Sequence, residues 1–146
     1  MYNLLVSADE NSWEGNPFEI DLSRCVREYT DTEIVEKYQN LTESIVREVK
    51  RFSCIFAYEI PCEKDPKFGL IRTLTKRKSL VRIEYEIIDL ATFLSHQDLT
   101  EMAFKLDITG WELNRTHWAI KNINLAEELY TKGITLPQGI IRDTKS

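Results

Sequence analysis

The chain is poor in the residues that punctuate, ligate and cross-link. Its 146 residues include only 5 glycines, 4 prolines, 3 cysteines and 2 histidines. The glycines, at 15, 69, 110, 133 and 139, form neither a G-x-G-x-x-G nor a Walker pattern, which excludes Rossmann and P-loop nucleotide binding. Cys25, Cys54 and Cys62 make no C-x-x-C pair and are odd in number. Free thiols in a reduced compartment are expected, not a disulfide framework. His96 and His117 are distant in sequence and no cysteine pair assists them, so no metal site is expected. No G-x-S-x-G or other nucleophile spacing occurs, and no catalytic residue or cofactor is assigned. No run approaches the roughly 20 apolar residues of a membrane span. Met1-Tyr2-Asn3-Leu4-Leu5-Val6 carries no basic leader, so a cytoplasmic location without a membrane partner is expected. Positive charge is also in short supply. Lys and Arg number 19 against 24 Asp and Glu, a net charge of −5, which argues against general affinity for nucleic acid.

What is present is the composition of a globular chain, 42% hydrophobic and 29% charged. One domain is expected over residues 1–140, with a frayed tail at 141–146. Strands are expected at Leu4–Ser7 and Phe18–Leu22, separated by the turn-forming stretch Asp9 to Pro17. Thr30 with Glu33 reads as a capping box, with Tyr29 stapled onto Ile34. Thr42 reads as the cap of a second amphipathic helix. Cys54–Glu59 has the apolar, aromatic character of a buried strand. Phe68–Thr75 and Val81–Ile87 follow it, joined by a hairpin tip at Lys76–Ser79. Helical signals resume at Asp89, with Asp98 and Glu101 as an acidic capping pair. A last helix starts at Asn124 and stops at Gly133. The fold class is therefore α+β: a curled, mainly antiparallel sheet with a small-barrel-like meander, and several helices packed around it.

One stretch concentrates chemistry. Trp111-Glu112-Leu113-Asn114-Arg115-Thr116-His117-Trp118-Ala119-Ile120-Lys121 holds two indoles, a carboxylate, an amide, a guanidinium, a hydroxyl and an imidazole. As a helix its apolar residues split onto opposite sides. As a turn at Asn114-Arg115 followed by a strand from Thr116 to Lys121, they separate cleanly. Trp118 and Ile120 then anchor the core, while His117, Ala119 and Lys121 face the other way.

Three blocks, Phe18-Glu19-Ile20-Asp21-x-Ser23-Arg24, Phe56-Ala57-Tyr58-Glu59 and Trp111 to Lys121, resemble a bacterial domain family of uncharacterised function. Such domains occur alone, also on mobile gene cassettes, or ahead of effector domains in defence proteins. The resemblance covers roughly positions 13 to 130 and implies a recognition or sensor module more than an enzyme. The central meander is also similar in outline to the barrel core of pseudouridine-synthase-associated (PUA-like) domains, which implies RNA or modified bases as ligands.

The expected site gathers Asn114, Arg115 and His117 with Trp111, Glu112, Tyr58, Glu59 and Arg24. A Trp face would stack on a planar ligand while Arg115 and Asn114 bond to its edge. A purely structural reading has both indoles as anchors and Arg115 paired to a carboxylate. An enzymatic reading needs Glu112 and His117 to meet in one open pocket. Two further groups stand out. Trp13, Glu19, Asp21, Arg24 and Arg27 read as a metal or acid/base cluster, or as a salt-bridged face. Arg72, Lys76, Arg77, Lys78 and Arg82 read as a phosphate contact, or as a solubility device on a hairpin. The expected partner is a small planar or anionic ligand, or a nucleic-acid element. The alternative is a protein-interaction module that forms a homodimer and has no small-molecule site.

Overall fold

The computed structural model describes residues 1–137. The expected tail at 141–146 lies outside the described residues. Six strands form one sheet in the order β2-β5-β4-β3-β1-β6. They are β1 (Tyr2–Ser7), β2 (Phe18–Asp21), β3 (Ser53–Tyr58), β4 (Lys67–Arg77), β5 (Leu80–Ile87) and β6 (His117–Lys121). Only β1 and β3 run parallel, because the connection between them passes through β2 and the helices α1 (Thr32–Tyr38) and α2 (Glu43–Val49). The other pairs are antiparallel, and β3-β4-β5 is the expected meander. Helices α3 (His96–Glu101) and α4 (Leu125–Thr131) complete the α+β architecture.

Burial divides the sheet. Every residue of β1, β3 and β6 is buried, as expected of strands covered on both faces. On one face Leu5, Cys54, Phe56, Trp118 and Ile120 pack with Tyr38 and Val49 of the first helix pair. On the other, Leu4, Val6 and Ile55 pack with Leu99, Leu125 and Leu129 of the second pair. Strand β5 alternates instead. Val81 and Ile83 are buried while Arg82, Glu84 and Glu86 face outward.

The sheet curls without closing. From β2, at one edge, the chain passes through a tight turn at Leu22–Arg24 and reaches β6, at the opposite edge. There Cys25 bridges Trp118, and the Val26 N–H donates to the Trp118 carbonyl at 2.7 Å. One strap of chain thus spans both edges. It bends sharply: Val26 and Tyr29 both have φ of 54°, a left-handed conformation that side chains larger than glycine adopt at a cost.

Local signals held where tertiary contacts did not compete. The Asn124 side chain caps α4, accepting from the Glu127 N–H at 3.1 Å, and Gly133 ends the helix with φ +86°. The capping box of α3 sits one turn before its expected place, with Ser95 as cap and Asp98 as its acidic partner. The expected box at Thr30 is replaced. Helix α1 starts at Thr32, and the Thr30 hydroxyl donates to the Glu28 carbonyl. Tyr29 stacks against His117 (5.1 Å between ring centres) and so is not a staple for Ile34.

Two outcomes check this packing. A Cβ on Gly69 would collide with the Glu86 carbonyl oxygen of β5 and press on Phe56 of β3. Gly69→Ala should therefore destabilise the protein by about 3 kcal/mol, read in urea unfolding. Cys25 and Cys54 are buried, and burial pushes the Cys25 thiol up to about 12, whereas Cys62 is half-exposed. Ellman's reagent should label Cys62 first and the other two only as the protein unfolds.

Candidate functional site

The Trp111–Lys121 block divides as a turn and a strand, but the face expected to be free is covered. A short 3-10 turn, Glu112–Asn114, precedes β6. Side chains of His117 and Lys121 point to the face that α3 and α4 cover, and Glu112 folds back beneath them. Glu112 and His117 have no exposed surface. Glu112 Oε2 lies 2.8 Å from His117 Nε2, and Oε1 lies 2.9 Å from Lys121 Nζ. Oε1 also accepts from the Thr109 N–H at 3.2 Å. Lys121 Nζ donates to the Tyr29 carbonyl at 2.6 Å, and His117 Nδ1 lies 2.7 Å from the Arg115 carbonyl. That carbonyl can only accept, so the contact at Nδ1 needs the ring N–H on that nitrogen. Burial, reinforced by the Glu112 charge, raises the Tyr2 hydroxyl well above its ordinary range.

This corrects the expectation for His117 and Glu112. They converge, as an enzymatic reading requires, but in the interior and not in an open pocket. His117 lies against the Tyr29 ring of the strap, and Glu112 holds the Lys121 that bonds the Tyr29 carbonyl. The two indoles also part. Trp118 is buried and donates from Nε1 to Asn3 Oδ1 at 3.0 Å, whereas Trp111 is 75% exposed. They frame no common pocket. Tyr58 is buried as well, its hydroxyl donating to the Ser12 carbonyl at 2.7 Å.

Of the other expected site residues, Asn114 is half-buried on the 3-10 turn. Arg115 is exposed and forms a two-point pair with Glu28, 2.6 Å at each contact. The hydrogen bond from Arg115 holds the Glu28 carboxyl below its usual range. Arg24 and Glu59 meet at Thr116. The Thr116 hydroxyl donates to Glu59 Oε2 at 2.7 Å, and Arg24 donates to the Thr116 carbonyl at 3.4 Å. A hollow of about 420 Å³ opens there, lined by Ser7, Asp9, Ser12, Phe18, Glu19 and Thr116 among others. Its polar groups are largely matched to one another: Ser7 with Ser12 at 2.7 Å, Asp9 Oδ1 with the Asn11 N–H at 2.9 Å, and Thr116 with Glu59. That pattern ties down a loop and leaves few groups for a ligand.

The N-terminal group does not assemble. Trp13 is a core residue, its Nε1 donating to the Ala57 carbonyl at 2.8 Å and its ring 4.6 Å from Phe18. Glu19 approaches Arg82, Asp21 caps the turn at Ser23, and Arg27 binds the Leu22 and Cys25 carbonyls. Among the described residues no group of three or more His, Cys, Asp or Glu is placed to hold a metal ion.

The hairpin cations are dispersed too. Lys76 Nζ donates to the Asn40 carbonyl, and Arg77 and Lys78 sit at the tip. Arg72 takes a different course. The register of β4 against β5 shifts between Ile71 and Thr73, so Arg72 is the extra residue of a bulge. Bulges turn a side chain out of the regular ladder. Strand β3 pairs with β4 only as far as Gly69, which leaves the rest of β4 facing the end of α2. Between them lies a hollow of about 510 Å³ lined by Arg47, Lys50, Arg51, Ile71 and Arg72. Arg47 pairs with Glu43 at 3.3 Å, and Arg72 pairs with Glu86. Among the described residues the side chains of Lys50 and Arg51 have no hydrogen bond or ion pair. Cations at a helix C-terminus complement its dipole, which accounts for Lys50 and Arg51 but not for an arginine arriving from β4. Sequence reasoning singled out Arg72 but not Arg47, Lys50 and Arg51, which look like the outer face of an amphipathic helix. Their spacing of three and four was the available signal.

Removing Glu112 would leave Lys121 buried without its carboxylate, so Glu112→Ala should cost about 3–5 kcal/mol of stability. Arg115→Ala, which breaks a surface pair, should cost less than about 1 kcal/mol. Chemical denaturation of both variants distinguishes them. Comparison of the chain with protein-family models, curated proteins and solved structures finds no match.

Proposed function

We propose that this chain is a small recognition module for an anionic ligand, held in the hollow between α2 and β4. The observation that carries the reading is the convergence of Arg47, Lys50, Arg51 and Arg72 from two elements, with Lys50 and Arg51 unpaired, on a chain of net charge −5. Lys50 and Arg51 carry charge there that no carboxylate offsets among the described residues, and an anion supplies the counter-charge. Buried Ile71 supplies an apolar wall, which strengthens the field of the cations beside it. Guanidinium groups suit phosphate in particular, through parallel N–H···O bonds. The reading keeps the anionic ligand expected from the sequence and moves its site away from Trp111–Lys121. It also agrees with the recognition role that the family resemblance implies.

Inorganic pyrophosphate is the probe. Titrated into the 15N-labelled chain, it should shift the amides around Lys50–Arg51 and Ile71–Thr73 and leave those of β6 in place. A hydrogen bond to a charged group is worth about 1.5–3 kcal/mol, so Arg51→Ala should weaken binding about tenfold or more. Unchanged affinity in a folded Lys50→Ala/Arg51→Ala variant would remove the site. The interaction-module alternative draws on Phe104, 95% exposed, and Trp111, 75% exposed. Light scattering that shows a dimer dissolved by Trp111→Ala would favour it.

A further inference from the structure

Resting on the reading of the α2–β4 hollow as an anion site, we infer that its ligand is a compact phosphate compound, a nucleoside diphosphate or a molecule of that size, gripped by its phosphate end. A nucleic-acid strand is the competing occupant, and three observations weigh against it.

The first is the distribution of charge around the hollow. A strand is held by cations spaced along its backbone, each releasing counterions. Here the cations converge on one point and carboxylates stand at its rim. Glu43 is held there by Arg47, and Glu86 by Arg72. Further down β5, Glu84 accepts from the Thr73 hydroxyl at 2.6 Å, and on α2 Glu48 pairs with Lys37 at 3.3 Å. A backbone running out of the hollow along β5 meets the negative charge of Glu86 and Glu84 before it can reach the hairpin cations Arg82, Lys76, Arg77 and Lys78. A compact phosphate group stops short of it.

The second is the lining. It contains no aromatic ring, only aliphatic Ile71 among the cations. Single-strand binders gain about 1–3 kcal/mol per base by stacking on aromatic side chains, and that contribution is missing here. The same lack means that the hollow has no means of telling one base from another. The phosphate end is what it reads.

The third is size and exchange. The volume of about 510 Å³ is that of a small-molecule pocket, which spans about 300–1,000 Å³. Arg47 and Arg72 are also already oriented by carboxylates in exposed pairs, and such pairs contribute about 1 kcal/mol or less. A phosphate with more charge and more acceptor oxygens can take those guanidinium groups over, while Lys50 and Arg51 supply charge that no carboxylate offsets.

The experiment compares pyrophosphate, ADP, CDP and a twelve-residue oligouridylate lacking terminal phosphates, by calorimetry on the full chain at fixed ionic strength. Pyrophosphate and the two diphosphates should agree within about threefold, since the base is not read, and the oligonucleotide should bind at least about tenfold more weakly. The exposed rim carboxylates give an independent arm. Glu43→Gln with Glu86→Gln should improve oligonucleotide binding about tenfold or more and diphosphate binding by a smaller factor, because the rim acts mainly on a ligand that crosses it. Tighter binding of the oligonucleotide than of pyrophosphate to the unmodified chain, with a steep salt dependence, would overturn the inference in favour of a nucleic-acid groove. A preference between ADP and CDP beyond about threefold would overturn the claim that only the phosphate end is read. Absence of binding by every anion would instead remove the underlying anion site.

Discussion

One buried carboxylate holds the far edge of this sheet. Glu112 accepts from Lys121 and lies within hydrogen-bond distance of His117, and both partners project from β6 into the interior. Without that carboxylate, the strand next to β1 would carry an ammonium group into the interior with, among the described residues, only the neutral Tyr29 carbonyl bonded to it. The pair fixes more than itself. Lys121 continues to the Tyr29 carbonyl, the His117 ring rests on Tyr29, and Arg115 reaches Glu28. The strap that carries Tyr29 and Glu28 is thereby held against β6, although its backbone is strained at Val26 and Tyr29. A polar network of this kind stabilises by being complete, because each group left unmatched would cost more than its bond returns.

The two hollows differ in how completely their polar groups are matched. Around Thr116 the hydroxyls and carboxylates answer one another, and the result is a fastened loop. Between α2 and β4 four cations meet two carboxylates, Glu43 on Arg47 and Glu86 on Arg72, which leaves Lys50 and Arg51 unpaired among the described residues. The helix dipole accounts for Lys50 and Arg51 but not for the arginine that the bulge brings beside them. The residue variety of Trp111–Lys121, by contrast, marks an interior junction.

How much was legible from the residues follows from the range of the forces involved. The parity of β6 was legible, since alternation is local: Trp118 and Ile120 are buried on one face, and His117 and Lys121 lie on the other. What covers that second face was not, because α3, α4 and the strap arrive from distant parts of the chain. Asn124 and Gly133 bound α4 as expected, since caps act within a turn. The cap expected at Thr30 failed because Tyr29 was drawn away to His117, a partner far along the chain. The α2–β4 hollow was hidden for two reasons. Three of its cations resemble an ordinary solvated helix face, and the fourth depends on a bulge that an alternating pattern does not announce.

The strap from β2 to β6 also bears on the order in which the molecule can form. Its contacts, and those of β1 with β6, join residues at opposite ends of the chain. Asn3 with Trp118 is separated by 115 positions, and Arg24 with Thr116 by 92. Closing loops of that length comes at an entropic cost that local helices do not meet, and it slows folding. During synthesis, β1 can pair with β3 but waits for β6 on its other side. The strap waits for the same strand. The meander and the first helix pair can thus form before the edge that Glu112 secures, because β6 and α4 are the last of the described elements to be synthesised.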